Sequence, residues 1–187
     1  MTVTTLDANS ALIVVDLQKG IVAMAGGQAL DGVVAKAAAL ADAFRAHGQP
    51  VALVNVAGMA PGRTEQARGG PPAFPGGWTD LIPELSPQPR DLLVTKHTPG
   101  AFTATDLEAQ LRARGVTQVV VVGVATSNGV EVTARQAYEL GFNVSFATDA
   151  MTDMRPDAHA WSTTQVFPRI GETGTTQDII DLLKRTA

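Results

Sequence analysis

The positions of this sequence that could do chemistry lie where apolar runs stop. Val14-Val15-Asp16-Leu17-Gln18 sets a carboxylate at the end of one run, and Val94-Thr95-Lys96-His97 sets an ammonium at the end of another. Two opposite charges so placed could form a pair that moves a proton. Taken singly, Asp16 reads as a cap for the next segment, and Lys96 as a solvated strand-end charge. The lysine would lower the carboxyl pKa and burial would raise it, so the sequence leaves the sign open. A third run, Val122-Gly123-Val124-Ala125, passes through Thr126-Ser127-Asn128-Gly129-Val130 into a helical pattern. The free amides of a helix start suit an anionic group or a developing oxyanion, and Thr126 or Ser127 capping that helix is the plainer reading.

Five runs have the composition of strands: Ala11–Val15, Val51–Val54, Leu92–Val94, Val119–Val122 and Val144–Phe146. Apart from Ser145 they are continuously apolar, which suits strands buried on both faces of a parallel sheet. Helical patterns alternate with them. Asp31–His47 has apolar residues at three-to-four spacing and ends on Gly48, and Thr105 precedes an acidic first turn that closes at Gly115. Ser127–Leu140 stops at Gly141, and Asp157–Phe167 and Thr176–Arg185 complete the set. Alternating strands and helices predict βαβ units, with reactive groups gathered at the carboxyl ends of the strands. Residues 58–90 carry seven of the eleven prolines and read as a long ordered loop or lid.

Composition narrows the function. One domain, residues 1–187, is expected from the length. Fourteen Lys+Arg against eighteen Asp+Glu leave a net charge of −4, so there is no basic excess for nucleic acid or an anionic membrane. No apolar run reaches the ~20 residues of a bilayer span, and the polar start is not a signal peptide. A cytoplasmic setting is the expectation. Cysteine is absent, which removes disulfides, thiolate metal sites and cysteine nucleophiles together.

Asp16-Leu17-Gln18, Lys96 followed by Gly100-Ala-Phe102, Gly123-Val-Ala-Thr126, Thr133-Ala-Arg-Gln-Ala137, Gly141-Phe142 and Thr148-Asp-Ala150 resemble, in this order, the isochorismatase-like hydrolase superfamily. The resemblance runs from about residue 10 to 175. It implies an α/β fold with a doubly wound, Rossmann-like, mostly parallel six-stranded sheet carrying helices on both faces. It also implies a small-molecule hydrolase whose catalytic Asp and Lys are Asp16 and Lys96. Most members complete the site with a nucleophilic cysteine, at the position that is Gly129 here. Members also share a cis peptide at the place of Val124-Ala125 and associate as dimers or tetramers.

The departure at Gly129 directs the functional expectation. Covalent thioester chemistry needs a thiolate that glycine does not supply. Ser127 lies roughly 200° around a helix from Gly129, and the Thr126 hydroxyl is expected to turn onto the backbone as a cap. Isochorismatases proper manage without cysteine, because protonating a vinyl ether and adding water to the oxocarbenium ion requires no covalent intermediate. Asp16 poised by Lys96 would be the acid, a contribution of ~10²–10⁴-fold, and Gly129 would leave room for substrate or water. The alternatives are a binding protein that kept the pocket without the chemistry, and an amidase using Ser127 or Thr126.

Gln18, Asn55, Ala125, Ser127 and Gly129 are expected to line the substrate site. Asn55-Val-Ala-Gly58 stands where similar isochorismatases carry a glutamine, which puts isochorismate itself in doubt. Arg63 could bring a guanidinium to a carboxylate, and Trp78 and Phe102 could wall the pocket or pack in the core. Glu131, Thr163, Thr164 and the turn Gly171–Thr175 are lesser candidates. No cofactor is expected. No metal is expected either, since His47 reads as a helix end, His159 as helical surface, and only His97 beside Lys96 as a pocket candidate.

Overall fold

The computed structural model describes residues 3–25, 30–65 and 74–186. Six parallel strands form one sheet: β1 (Ser10–Val15), β2 (Val51–Val56), β3 (Leu92–Lys96), β4 (Gln118–Val124), β5 (Asn143–Thr152) and β6 (Glu172–Gly174). Their spatial order is β3-β2-β1-β4-β5-β6. The order reverses direction between β1 and β4, and such a switch point opens a crevice beyond the carboxyl ends of those two strands.

Alternation along the strands builds two cores. Ala11, Ile13, Val15, Ala52, Val54, Leu92, Val94, Val119 and Val121 face one side. There they meet Leu107 and Leu111 of α3 (Leu107–Ala113) and Val130, Ala134 and Ala137 at and within α4 (Glu131–Glu139). Leu12, Val14, Val51, Leu53, Val120 and Val122 face the other side. That face packs on Leu40 and Phe44 of α2 (Asp31–Ala46) and on Ile179 and Leu183 of α6 (Thr176–Thr186). Burial on both faces is why β1, β2 and β4 read as unbroken apolar runs, whereas the edge strand β3 exposes Leu93 and Thr95.

Some elements depart from the expectation. A short helix α1 (Lys19–Met24) follows β1 directly. The predicted helix from Ser127 begins as a π-helical turn, Thr126–Val130, before α4 starts at Glu131. Likewise Asp157–Phe167 divides into α5 (Pro156–Trp161), a second π-helical turn at Ser162–Val166 and a 3₁₀ turn. Such single-turn expansions recur at functional sites. Gly171–Thr175, read as a turn, contains the edge strand β6, too short for an alternation signal. Within the lid the structure shows a 3₁₀ turn at Pro83–Leu85, while residues 66–73 lie outside the described residues. No described helix is long and apolar enough to cross a membrane.

Two features bring the strand ends into register. Arg45, on the last turn of α2, reaches Asp91 just before β3 through Nε at 3.2 Å and Nη2 at 2.7 Å. Gly123 has φ +115°, and a Cβ there would fall 2.1 Å from the Val15 carbonyl oxygen. Only glycine lets the ends of β1 and β4 approach so closely. Gly123→Ala is therefore expected to destabilise the fold by ~3 kcal/mol or more, the sum of overpacking and backbone strain. Urea denaturation read by circular dichroism measures it.

Candidate active site

Asp16 is the first residue beyond β1, and its amide still donates to the Val54 carbonyl at 2.8 Å. Its φ of +54° is left-handed, uncommon for a residue with a side chain. By strand alternation Asp16 would continue the face of Leu12 and Val14, whereas Lys96 continues the opposite face of Leu92 and Val94. The left-handed turn breaks that alternation and lets carboxyl and ammonium meet across the end of β2. Lys96 Nζ lies 2.8 Å from Asp16 Oδ2, the lysine side chain 2% exposed and the aspartate 8%.

The two ends of this pair are unequal. The ammonium donates to Asp16 Oδ2, to the Pro99 carbonyl at 2.9 Å and to the Thr98 carbonyl at 3.3 Å. Its three donors are thereby all engaged. Asp16 Oδ1 is buried and has no hydrogen-bond partner. Burial raises the Asp16 pKa from 3.8 to about 6, against the opposing charge and hydrogen bond of Lys96. Desolvation outweighs attraction, which answers the question of sign. The carboxyl thus keeps its proton up to about pH 6, with one oxygen tied down and the other without a partner.

The Thr126–Val130 turn forms the neighbouring wall. The Val124–Ala125 peptide is cis, as the resemblance implied. A Cβ built on Gly129 would lie 3.0 Å from Asp16 Oδ2, 3.1 Å from Val15 Cγ1 and 3.2 Å from the Val124 carbonyl oxygen. Gly129 therefore borders the carboxyl directly, but so closely that even a Cβ would need its neighbours to yield. The expectation of room at this position is corrected accordingly: what the glycine permits is close approach.

The hydroxyls of the turn are engaged elsewhere. Thr126 does not cap the backbone; its buried Oγ1 pairs with His159 Nδ1 at 2.9 Å. His159 is thus a half-buried partner of the turn and not helical surface. Ser127 is exposed and gives both its amide, at 2.8 Å, and its hydroxyl, at 2.7 Å, to Asp153 Oδ2. Those bonds hold the Asp153 pKa below the ordinary carboxylate value although burial opposes them. The amides of Asn128 and Val130 donate to the Ala125 carbonyl. Glu131 accepts from the buried Ser162 hydroxyl at 2.6 Å and pairs with Arg135 at 3.0 Å. Thr163 and Thr164 bond to carbonyls of their own helix, His159 and Ala160.

Of the remaining candidates, Gln18 acts as a brace. Its Oε1 accepts from the Val56 amide at 2.7 Å, and its Nε2 donates to the Val56 and Trp78 carbonyls at 3.1 and 3.3 Å. This amide has little capacity left for a ligand. Asn55 donates to the Thr79 carbonyl at 2.7 Å, so both residues fasten the lid over the ends of β1 and β2. Trp78 stacks on Phe74 at 4.3 Å and lies against Gly20, where a Cβ would strike the indole at 2.1 Å. Phe102 packs on the α3–α4 core beside Phe142. Arg63 and His97 are exposed, His97 lying against Gly58. The structure thus joins Asp16, Lys96 and Gly129 in one place, and shows Gln18 and Asn55 as lid anchors. Two surface clefts, of about 270 Å³ beside Arg135 and Tyr138 and about 410 Å³ beside Arg90 and Arg114, do not include Asp16.

A doubly wound parallel sheet with a buried Asp–Lys pair at its switch point accords with the comparisons to known proteins. Residues 10–178 match the isochorismatase domain model, and the chain belongs to the isochorismatase family. It is 41% identical over 182 residues to the uncharacterized isochorismatase family protein YwoC of Bacillus subtilis, covering 94% of each chain. It is 32% identical over 178 residues to the ureidoacrylate amidohydrolase RutB of Variovorax paradoxus, covering 79% of this chain and 70% of that one. A solved isochorismatase family protein from Burkholderia thailandensis superposes with a TM-score of 0.90 at 42% identity, covering 96% of this chain and 98% of that one. The chain is an isochorismatase-family hydrolase.

The raised Asp16 pKa predicts a stability difference with a definite sign. The folded protein holds this proton to about pH 6, while the unfolded chain loses it near 3.8, so the contribution is complete below 3.8. It is lost as pH rises through 6. Relative to Asp16→Asn, the native chain should lose on the order of 2–3 kcal/mol between about pH 4 and pH 7. Paired denaturation curves across that range check it.

Proposed function

We propose that this family member hydrolyses a small molecule by acid assistance, without a covalent intermediate, in the manner of vinyl-ether cleavage. The single observation that carries the reading is the asymmetry of Asp16. Its Oδ2 is fixed by Lys96, its Oδ1 is buried without a partner, and burial moves its pKa to about 6. An acid held in that way suits protonation of an enol ether carbon.

In this scheme Asp16 gives its proton to the terminal carbon of the C=C bond, and the ether oxygen supplies electrons to form an oxocarbenium ion. Water adds to the cationic carbon. Its proton returns to the Asp16 carboxylate, and the resulting hemiketal breaks its C–O bond to release an alcohol and a ketone. Lys96 steadies the carboxylate left after proton transfer and does not itself bind substrate, since its donors are engaged. The scheme calls on no side chain at residue 129.

A second reading is an amidase with a hydroxyl nucleophile, favoured by the 2.9 Å contact between Thr126 Oγ1 and His159 Nδ1. Complete burial of Thr126 weighs against it, as does the commitment of the Ser127 hydroxyl to Asp153. A ligand-binding protein without turnover is the remaining alternative. The proposal also includes self-association as a dimer or tetramer, which sedimentation equilibrium reads directly.

A panel of vinyl ethers, amides and carbamates separates these readings. The acid scheme expects vinyl-ether turnover that Asp16→Asn reduces by ~10² or more. It also expects kcat/KM to fall as pH rises through about 6, because the acid form is then lost. Ser127→Ala and Thr126→Val should leave the chemical step within a few-fold of the parent. Turnover of amides alone, abolished by Thr126→Val, would replace the scheme with the nucleophilic one.

A further inference from the structure

The lysine ammonium is seated by backbone carbonyls, and those carbonyls are themselves held in place. Thr98 and Pro99, whose oxygens receive Lys96 Nζ at 3.3 and 2.9 Å, begin the loop that follows β3. Immediately beyond them the loop is fastened to α4. The Ala101 amide donates to Thr133 Oγ1 at 3.1 Å, both residues being fully buried. The Phe102 amide donates to Gln136 Oε1 at 3.1 Å, and Gln136 Nε2 donates to Thr103 Oγ1 at 2.6 Å. A Cβ at Gly100 would fall 2.2 Å from Gln136 Oε1, so the glycine is what admits the glutamine against the loop.

We infer that Thr133 and Gln136 are positioning residues for the Asp16–Lys96 pair, acting through the loop whose carbonyls seat the ammonium. The helix that carries them continues from the turn containing Gly129, the turn that borders Asp16 Oδ2. One helix therefore refers both halves of the site to a common frame: the carboxyl beyond β1 and the ammonium beyond β3. Without the clamp the loop is free to draw its carbonyls, and the lysine with them, away from the carboxyl. The importance of this for turnover rests on the reading of Asp16 as the acid; the clamp itself does not.

The test needs no substrate. In ¹³C-labelled protein the Asp16 carboxyl resonance, assigned by its loss in Asp16→Asn, is titrated from about pH 4 to about pH 9. Lys96 is the charge that lowers the Asp16 pKa, so a looser lysine should let the midpoint rise above about 6. Thr133→Val and Gln136→Met, each without its acceptor, should raise it by about half a unit or more, and Thr133→Ser should restore it. Ala134→Gly loosens the same helix while keeping both hydrogen bonds to the loop, and serves as the control. Unchanged midpoints in folded Thr133→Val and Gln136→Met would overturn the inference, as would an equal rise in Ala134→Gly. A raised midpoint in a protein that turns over no vinyl ether would uphold the clamp while ending the acid scheme.

Discussion

A carboxylate and an ammonium enclosed together are the constraint around which the site is organised. Taking either charge out of water is unfavourable by several kcal/mol, and their attraction repays this only when geometry and extra hydrogen bonds are good. Here the compensation is uneven. The ammonium has a carboxylate oxygen and two carbonyls, whereas the carboxyl has the ammonium alone and one oxygen with no partner. The imbalance falls on the carboxyl, which responds by holding its proton more tightly. An ion pair that served stability alone would bring both oxygens into hydrogen bonds. The unpartnered oxygen is the observation on which the proposed acid role of Asp16 rests.

The fold brings this about by converging strand ends. Asp16 follows β1, Gly129 follows β4, and Lys96 closes β3, so three βα connections meet at the switch point. Each approach depends on a local device: a left-handed backbone at Asp16, a glycine at 123 where a Cβ would strike β1, and a glycine at 129 beside the carboxyl. Around them the lid is fastened by Gln18 and Asn55, the Thr126–Val130 turn by His159 and Asp153, and the start of α4 by Ser162 on Glu131. Polar side chains near the site are largely committed to holding backbone in place. That is the condition for keeping a reactive group within a fraction of an ångström of its working position.

The parts legible in the sequence are those with strong local causes. Strands buried on both faces are apolar almost throughout, so β1, β2 and β4 stand out, with shorter apolar runs marking β3 and β5, and Gly48, Gly115 and Gly141 mark helix ends with positive φ. Asp16 and Lys96 were visible as a pair, because opposite charges stand at the ends of two such runs. β6 was not visible, since three residues at a sheet edge carry no period, and neither were the π-helical turns. The roles of Gln18 and His159 were hidden for a different reason. Their partners lie 38 and 33 residues away, and nothing local distinguishes a brace from a binding group. A histidine and a serine three residues apart in the helix after β5 were the available signal for the turn's anchorage, and that spacing is common on any helix.

Gly129 is where sequence and structure give different physical meanings to the same residue. Read along the chain, a missing side chain suggests a cavity. In three dimensions the ground is already occupied, because Asp16 Oδ2, Val15 and the Val124 carbonyl stand within 3.2 Å of where a Cβ would begin. The glycine lets the carboxyl press against the turn instead of standing off from it. Burial is what raises the Asp16 pKa, and Gly129 is among the residues that border the carboxyl. Under the proposed acid scheme, the residue that offers no nucleophile is therefore also one that borders the proton-donating aspartate.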